Sequence, residues 1–372
     1  MRKRLWSMVL CLALSVSLLS GCGKKAETGS GGSPADTEEA SEAQDAPEEG
    51  AATENDGEYD FSQDKTFNMT AGGIQSAEDT VTLAMQKMAE IAEEKSGGTI
   101  KITVSPAGQL GDATSQMEAV SLGTQEIFVD ASSWLSTFVD DALVTSMFFL
   151  IRDEEHFRQF LESGIEADFE QQLADQQGVR VIANNWLRTP RSIVCKKELN
   201  TLEDLKGMKM RVPDIKSYME SATALGLGTA QVAWGETYLA IQQGVVDSCE
   251  SPLDSIYTMK FYETTKHVVL TEHIRDSVMV YMNEDLLEGM SEAQQAVLKE
   301  AAKEAGEWYT EQVKSAAAEY KQTMEDEGTV FDQPSQELID GMTKAIAARA
   351  EELEAEGLWR AGLFKEIQEI GK

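Results

Sequence analysis

The chain has 372 residues, a net charge of −33 and 42% apolar residues, which suits one two-lobed unit or two domains. So large an acidic excess argues against nucleic acid and other polyanions as partners, and no basic patch interleaved with aromatics occurs. The three histidines and four cysteines match no zinc spacing, so neither a metal nor a cofactor is expected.

The start is built for export. Arg2, Lys3 and Arg4 precede an apolar stretch, Leu5 to Leu19, that is short for a membrane span. Residues 1–21 therefore read as a signal peptide. Leu19-Ser20-Gly21-Cys22 resembles the lipobox of bacterial lipoproteins, which implies acylation of Cys22 and a lipid anchor on the outer side of the cell membrane. An ordinary signal peptide containing a cysteine is the alternative. Residues 22–64 are Gly, Ser, Ala, Glu and Asp with no apolar face, and are expected to be a disordered acidic spacer.

From Lys65 the pattern is that of a folded domain. Lys65–Thr70 alternates as a strand, and Ser76 or Asp79 starts a helix with Leu83, Met88 and Ile91 on its buried side. Ile100–Ser105 alternates again, giving a parallel βαβ unit. A helix from Asp112 to about Leu122 and a strand at Glu126–Val129 follow. Glu154–Gln177 reads as one helix, buried through Phe157, Phe160, Leu161, Phe169 and Leu173. Strands are expected at Val179–Ala183, Ser192–Cys195, Met208–Val212 and Val245–Cys249, with a helix at Thr237–Gln243. Ser291 to about Met324 has no proline and one glycine, and its apolar residues recur at helical spacing. It predicts a single long helix packed across both lobes. Ser335–Leu353 is a further helix, and Leu358–Ile370 closes the chain. Alternating strands and helices place the fold in the α/β class. His156, His267 and His273 fall in ordinary, surface-like segments. Cys195 and Cys249 are read as buried thiols, with a disulfide as the alternative.

No nucleophile elbow, zinc-protease motif or phosphate loop occurs, so no enzyme is expected. The informative stretch is Thr189–Pro213. Arg211 stands in a strand between Met210 and Val212, facing away from both. Its planar fork suits a ligand carboxylate, and an internal salt bridge is the other reading.

Thr201-Leu202-Glu203-Asp204-Leu205-Lys206-Gly207-Met208-Lys209-Met210-Arg211-Val212-Pro213 resembles the signature of the solute receptors of TRAP transporters, of the DctP type. Glu94–Ile100, Pro106–Gly111, Trp234–Asp247 and Lys260–Glu263 agree in order. The resemblance implies a two-lobed, periplasmic-binding-protein-like fold with lobe I at 66–188 plus 277–316 and lobe II at 189–276 plus 317–372. It implies capture of a small organic acid anion by hinge closure and delivery to TRAP membrane subunits driven by an ion gradient. The principal ligand would be Arg211. Arg191 fits a second arginine, with Arg188 as competitor. Ser251 stands where relatives often carry asparagine, which leaves the acid unnamed; with the Asp130 carboxylate expected to accept from ligand hydroxyls, it points slightly toward a sugar acid over a bare dicarboxylate. Trp234 resembles the aromatic that packs on the ligand, with plain core as the alternative. Asp130, Trp134 and Gln75 would meet the distal part of the ligand. The rivals are a substrate-binding lipoprotein of an ATP-driven importer and a secreted hydrolase or lyase on an α/β scaffold.

Overall fold

The computed structural model describes residues 59–372. The signal segment, Cys11, Cys22 and the spacer up to residue 58 lie outside the described residues. Folded packing begins ahead of the first expected strand. Phe61 lies in an apolar core, and Asp64 accepts a hydrogen bond from the Ser291 hydroxyl at 2.7 Å.

β1 (Phe67–Gly72), α1 (Thr80–Lys95) and β2 (Ile100–Ser105) form the expected unit, with β1 and β2 parallel. Asp79 caps α1 by accepting from the Val81 amide at 3.0 Å. Leu83 departs from expectation and is 40% exposed. The sheet and the long helix described below enclose Val81, Ala84, Met85 and Met88 instead, and Leu83 lies outside that wedge. α2 (Ala113–Ser121) and β3 (Ile127–Ala131) follow, then two 3-10 segments at Ser132–Thr137 and Asp140–Ser146. The helix expected over 154–177 is two, α3 (Glu154–Glu162) and α4 (Ile165–Gln177). Gly164 breaks it with φ of 84°, a left-handed conformation that glycine adopts without strain.

β4 (Val179–Leu187) leads into β5 (Arg191–Cys195), then α5 (Leu202–Leu205), β6 (Lys209–Val212), α6 (Lys216–Ala224) and β7 (Gly228–Gln231). A 3-10 turn at Trp234–Glu236 precedes α7 (Thr237–Gln242) and β8 (Ser248–Ser251). β8 begins later than expected, because Val245 stays in the exposed turn after α7. α8 (Leu253–Thr258), α9 (Phe261–Thr264), β9 (His267–Ile274), β10 (Ser277–Asn283) and α10 (Glu284–Glu288) come next. α11 (Glu292–Asp326), β11 (Val330–Asp332), α12 (Gln336–Ala355) and α13 (Leu363–Glu369) complete the chain.

The strands form two sheets, ordered β2-β1-β3-β10-β4 and β11-β9-β5-β8-β6-β7. The chain passes between them three times: from β4 to β5, from β9 to β10, and through α11 to β11. α11 has 35 residues, about 52 Å at 1.5 Å per residue. It packs on α1 and β4 of one lobe and on α8 of the other. Its seam is alanine-rich, and at Gly306 an added Cβ would lie 2.1 Å from the Trp186 ring. The missing side chain therefore admits Trp186, whose indole N–H donates to the Ala302 carbonyl at 2.8 Å.

Two histidines correct the surface reading. His156 and His273 are each 1% exposed. His156 bonds the Ile367 carbonyl at 2.8 Å, and His273 packs on the Phe148 ring at 4.4 Å. Cys195 and Cys249 are free, buried thiols. Val194 stands opposite Cys249 in the β5–β8 ladder, so the two sulfurs enter different cores on opposite faces of the sheet.

Candidate functional site

The ends of β5, β6 and β8 in one sheet face the β3 end and the Ile74–Gln75 loop of the other. Between them lies an inner chamber of about 40 Å³. It opens into an outer vestibule of about 480 Å³ through a shared wall of Ile74, Trp134, Arg211, Pro213 and Trp234. The inner space suits a carboxylate head, and the outer one its body.

Arg211 lies mid-strand in β6, with buried Met210 and Val212 turned to the opposite face. Its Nε donates to the Val232 carbonyl at 2.9 Å, and its guanidinium carbon sits 5.3 Å from the centre of the Trp234 ring. Arg211 is 5% exposed, and among the described residues it makes no ion pair. Burial pushes its pKa down, since nothing adjacent compensates the charge fully. A desolvated guanidinium with free Nη groups is a strong anion site.

Arg191 is built differently. Its Nε and Nη2 donate to Glu250 at 2.5 and 2.9 Å, and its Nη1 stands 3.7 Å from Asp276. The internal salt bridge thus falls to Arg191. Burial opposes both charges, yet the pairing carries Arg191 well above and Glu250 well below their ordinary values. His273 Nε2 lies 3.5 Å from Glu250, and burial lowers the histidine, so its imidazole is neutral at pH 7. Arg191 still lines the chamber, as does Arg188, whose Nη1 is 3.6 Å from Asp276.

The remaining expected residues all line the chamber. Ser251 ends β8, and its hydroxyl is buried without a partner. Trp234 packs edge-on to Phe261 at 5.2 Å while also walling both cavities, so its ring belongs to the core on one side and to the cavity wall on the other. Asp130 was expected to accept from ligand hydroxyls. It already accepts from Gln75 Nε2 at 2.9 Å, the Ala131 amide at 2.8 Å and Trp134 Nε1 at 3.1 Å. Its effect is to orient Gln75. A carboxylate only accepts, so the Gln75 amide nitrogen must face it, leaving Oε1 as a buried acceptor with no partner. Tyr218, buried and 5.7 Å from the Arg191 guanidinium carbon, is a chamber residue that no local motif marks. Among the described residues no helix is long and apolar enough to cross a membrane.

The family model for bacterial extracellular solute-binding protein, family 7 (DctP), matches residues 71–356. The chain belongs to this family. As a family 7 protein it is a solute-binding receptor of the TRAP class with an extracytoplasmic place of work. It is 30% identical over 257 residues to the sialic acid-binding periplasmic protein SiaP of Vibrio cholerae, covering 69% of this chain and 80% of the relative. A TRAP periplasmic solute binding protein of Roseobacter denitrificans with bound L-galactonate superposes with a TM-score of 0.72 at 26% identity, over 79% of this chain and 99% of that one. The counterpart from Polaromonas with bound D-erythronate gives 0.76 at 23% identity, over 83% and 100%. These structures share the two-lobed fold, and the cleft described above lies between the lobes.

Proposed function

We propose that this receptor captures a polyhydroxylated monocarboxylic acid, closes its lobes on it, and presents it to the ion-gradient-driven membrane subunits of a TRAP transporter. The observation that carries this reading is Arg211. It is a buried guanidinium without a protein carboxylate, at the wall of a chamber of about 40 Å³. Ser251 and the Arg211 Nη groups offer donors there, and Gln75 Oε1 offers the acceptor that a hydroxyl requires. The vestibule carries Asp112, Asp214 and Glu236, which disfavour a second carboxylate on the ligand body. Two relatives with bound L-galactonate and D-erythronate support a hydroxylated acid. Closure expels water and strengthens the guanidinium–carboxylate contact, because the local dielectric falls. Nothing in this chemistry breaks a bond, and the acid leaves unchanged.

The Leu19–Cys22 tetrapeptide supports a lipid anchor at Cys22, which would keep the receptor beside its membrane partner. Palmitate labelling of the full chain, lost in Cys22→Ser, tests the anchor.

A thermal-shift panel tests the function: L-galactonate, D-glucuronate, D-erythronate and sialic acid against succinate and malate. A hydroxylated monocarboxylate at saturating excess raises Tm, as binding to the folded state requires. Stabilisation by the dicarboxylates alone refutes the class assignment.

A further inference from the structure

Behind the chamber lies a second polar cluster that binding of a carboxylate by Arg211 does not use. Asp79 from the start of α1 accepts from the Ser255 and Thr258 hydroxyls of α8 at 3.3 and 2.8 Å, so it joins the two lobes. Asp254 precedes Ser255 on α8 and is 1% exposed, yet neither of its oxygens has a hydrogen-bond partner. Tyr309 of α11, fully buried, has an unpartnered hydroxyl. Asp276, in the turn from β9 to β10, likewise lacks hydrogen bonds at both oxygens, as does Arg188 at Nε. Buried polar atoms left this way are costly unless a mobile species serves them.

Charge sharpens the point. Arg191 is matched by Glu250 and shares Asp276 with Arg188, so Arg188 is the one cation set against both Asp79 and Asp254 among the described residues. The groups acting on Asp254 are Asp79 from α1, Arg188 from the β4–β5 crossing and, more weakly, the backbone amides of Asp254 and Ser255, which fall short of regular hydrogen-bond geometry; Tyr309 and Tyr320 of α11 feel its charge in return. An acid entering the chamber brings a further negative charge to the other side of Arg188, which lines that chamber. Among the described residues no three histidine, cysteine or acidic side chains are placed to hold a metal ion, and two buried neighbouring carboxyls relieve their mutual repulsion by holding a proton.

Resting on the receptor reading above, we propose that the acid anion binds together with one proton, taken from solvent by the Asp79–Asp254 carboxyl pair behind Arg188. The anion draws on the Arg188 field that otherwise offsets the pair, and the pair responds by holding a proton to higher pH. The free receptor is poised for this. Burial and the neighbouring Asp79 push the Asp254 carboxyl up to about 6, against the opposing pull of Arg188, and burial raises Asp79 as well.

Calorimetric titration of the full chain with the tightest of L-galactonate, D-glucuronate, D-erythronate and sialic acid tests the coupling. Run at pH 7 in phosphate and in Tris, buffers of different ionisation enthalpy, it counts protons directly. The expected result is about one proton taken up per acid at pH 7 and close to none at pH 5, where Asp254 already holds its proton. Affinity then falls up to about tenfold per pH unit above the titration. Asp254→Asn or Asp79→Asn, both near-isosteric, removes the uptake while binding persists. Glu166→Gln, a buried carboxyl elsewhere in lobe I, leaves it intact. Binding with no uptake at pH 7, uptake surviving in both Asn variants, or sodium replacing the proton overturns the proposal alone. No binding by any of the four acids removes the receptor's ligand class, and the coupling with it.

Discussion

Arg191 meets Glu250 through two hydrogen bonds of 2.5 and 2.9 Å, which leaves the neighbouring Arg211 as a cavity guanidinium with no carboxylate of its own. One arginine is balanced internally and the other is not, which is what the proposed ligand role of Arg211 requires. Arg211→Ala therefore costs about 2–5 kcal/mol of acid binding, as for loss of one partner of a buried charged pair. Arg211→Lys also weakens binding, because an ammonium lacks the fork. Calorimetry with the cognate acid checks both, and unchanged affinity in Arg211→Ala removes this residue from its role.

Glu250→Gln should damage the fold rather than the ligand contact. It strands Arg191 in a buried site, a loss of about 3–5 kcal/mol. Arg191 holds Glu250 far below the ordinary carboxylate value of 4.5. Its stabilising contribution is thus present above pH 4.5 and lost only as pH falls through the lower folded value. Urea unfolding of the native chain should show no loss from this pair between pH 5 and 9, and Glu250→Gln should be weakened equally across that range.

Glu166 carries the opposite sign. Burial first, then the charges of Glu170 and Asp276, push its carboxyl up to about 8, and its Oε2 has no partner. The folded state holds the proton that the unfolded chain releases near 4.5. Stability from this group is full below pH 4.5 and is lost as pH rises through about 8. Glu166→Gln should raise stability at pH 8 by on the order of 4 kcal/mol and flatten the alkaline side of the profile. Chemical denaturation at pH 6 and pH 9 reads the difference.

Gly306→Ala ought to stabilise an exposed helix, yet here it should destabilise. The new Cβ meets the Trp186 ring at 2.1 Å, and overpacking of that kind costs about 1–3 kcal/mol. A lower Tm is expected, and pairing it with Trp186→Leu should recover part of the loss relative to Trp186→Leu alone.

Gln75→Leu should discriminate among ligands. Its Oε1 is the chamber's unpartnered amide acceptor, so a hydroxy acid loses about tenfold in affinity, about 1.4 kcal/mol. The matching deoxy acid should bind the variant no worse than the native chain. Equal loss for both acids removes Gln75 from hydroxyl recognition.

Local patterns in the sequence were enough for the βαβ start, the long helix and the Arg211 strand, since each rests on alternation or on helical spacing within a few residues. β10 escaped notice because Ser277–Met282 is buried on both faces between β3 and β4, so no alternation survives. The break at Gly164 hid inside an otherwise helical run, since one glycine is ambiguous until its φ is known. At the site, the strand position of Arg211 was legible from alternation. The partner of Arg191 was not, because Glu250 lies 59 positions away and only the β5–β8 pairing brings it near. Tyr218 and the binding of Asp130 to Gln75 are likewise products of tertiary packing.

The triple passage between the sheets restricts what kind of movement can report occupancy. Two short crossings lie side by side, and a helix of 35 residues spans the same seam. Twisting or sliding of one half over the other would shear all three at once, whereas a swing about the line they share disturbs them least. A swing of that kind has a single degree of freedom, so different small cargoes would all register as the same change of angle.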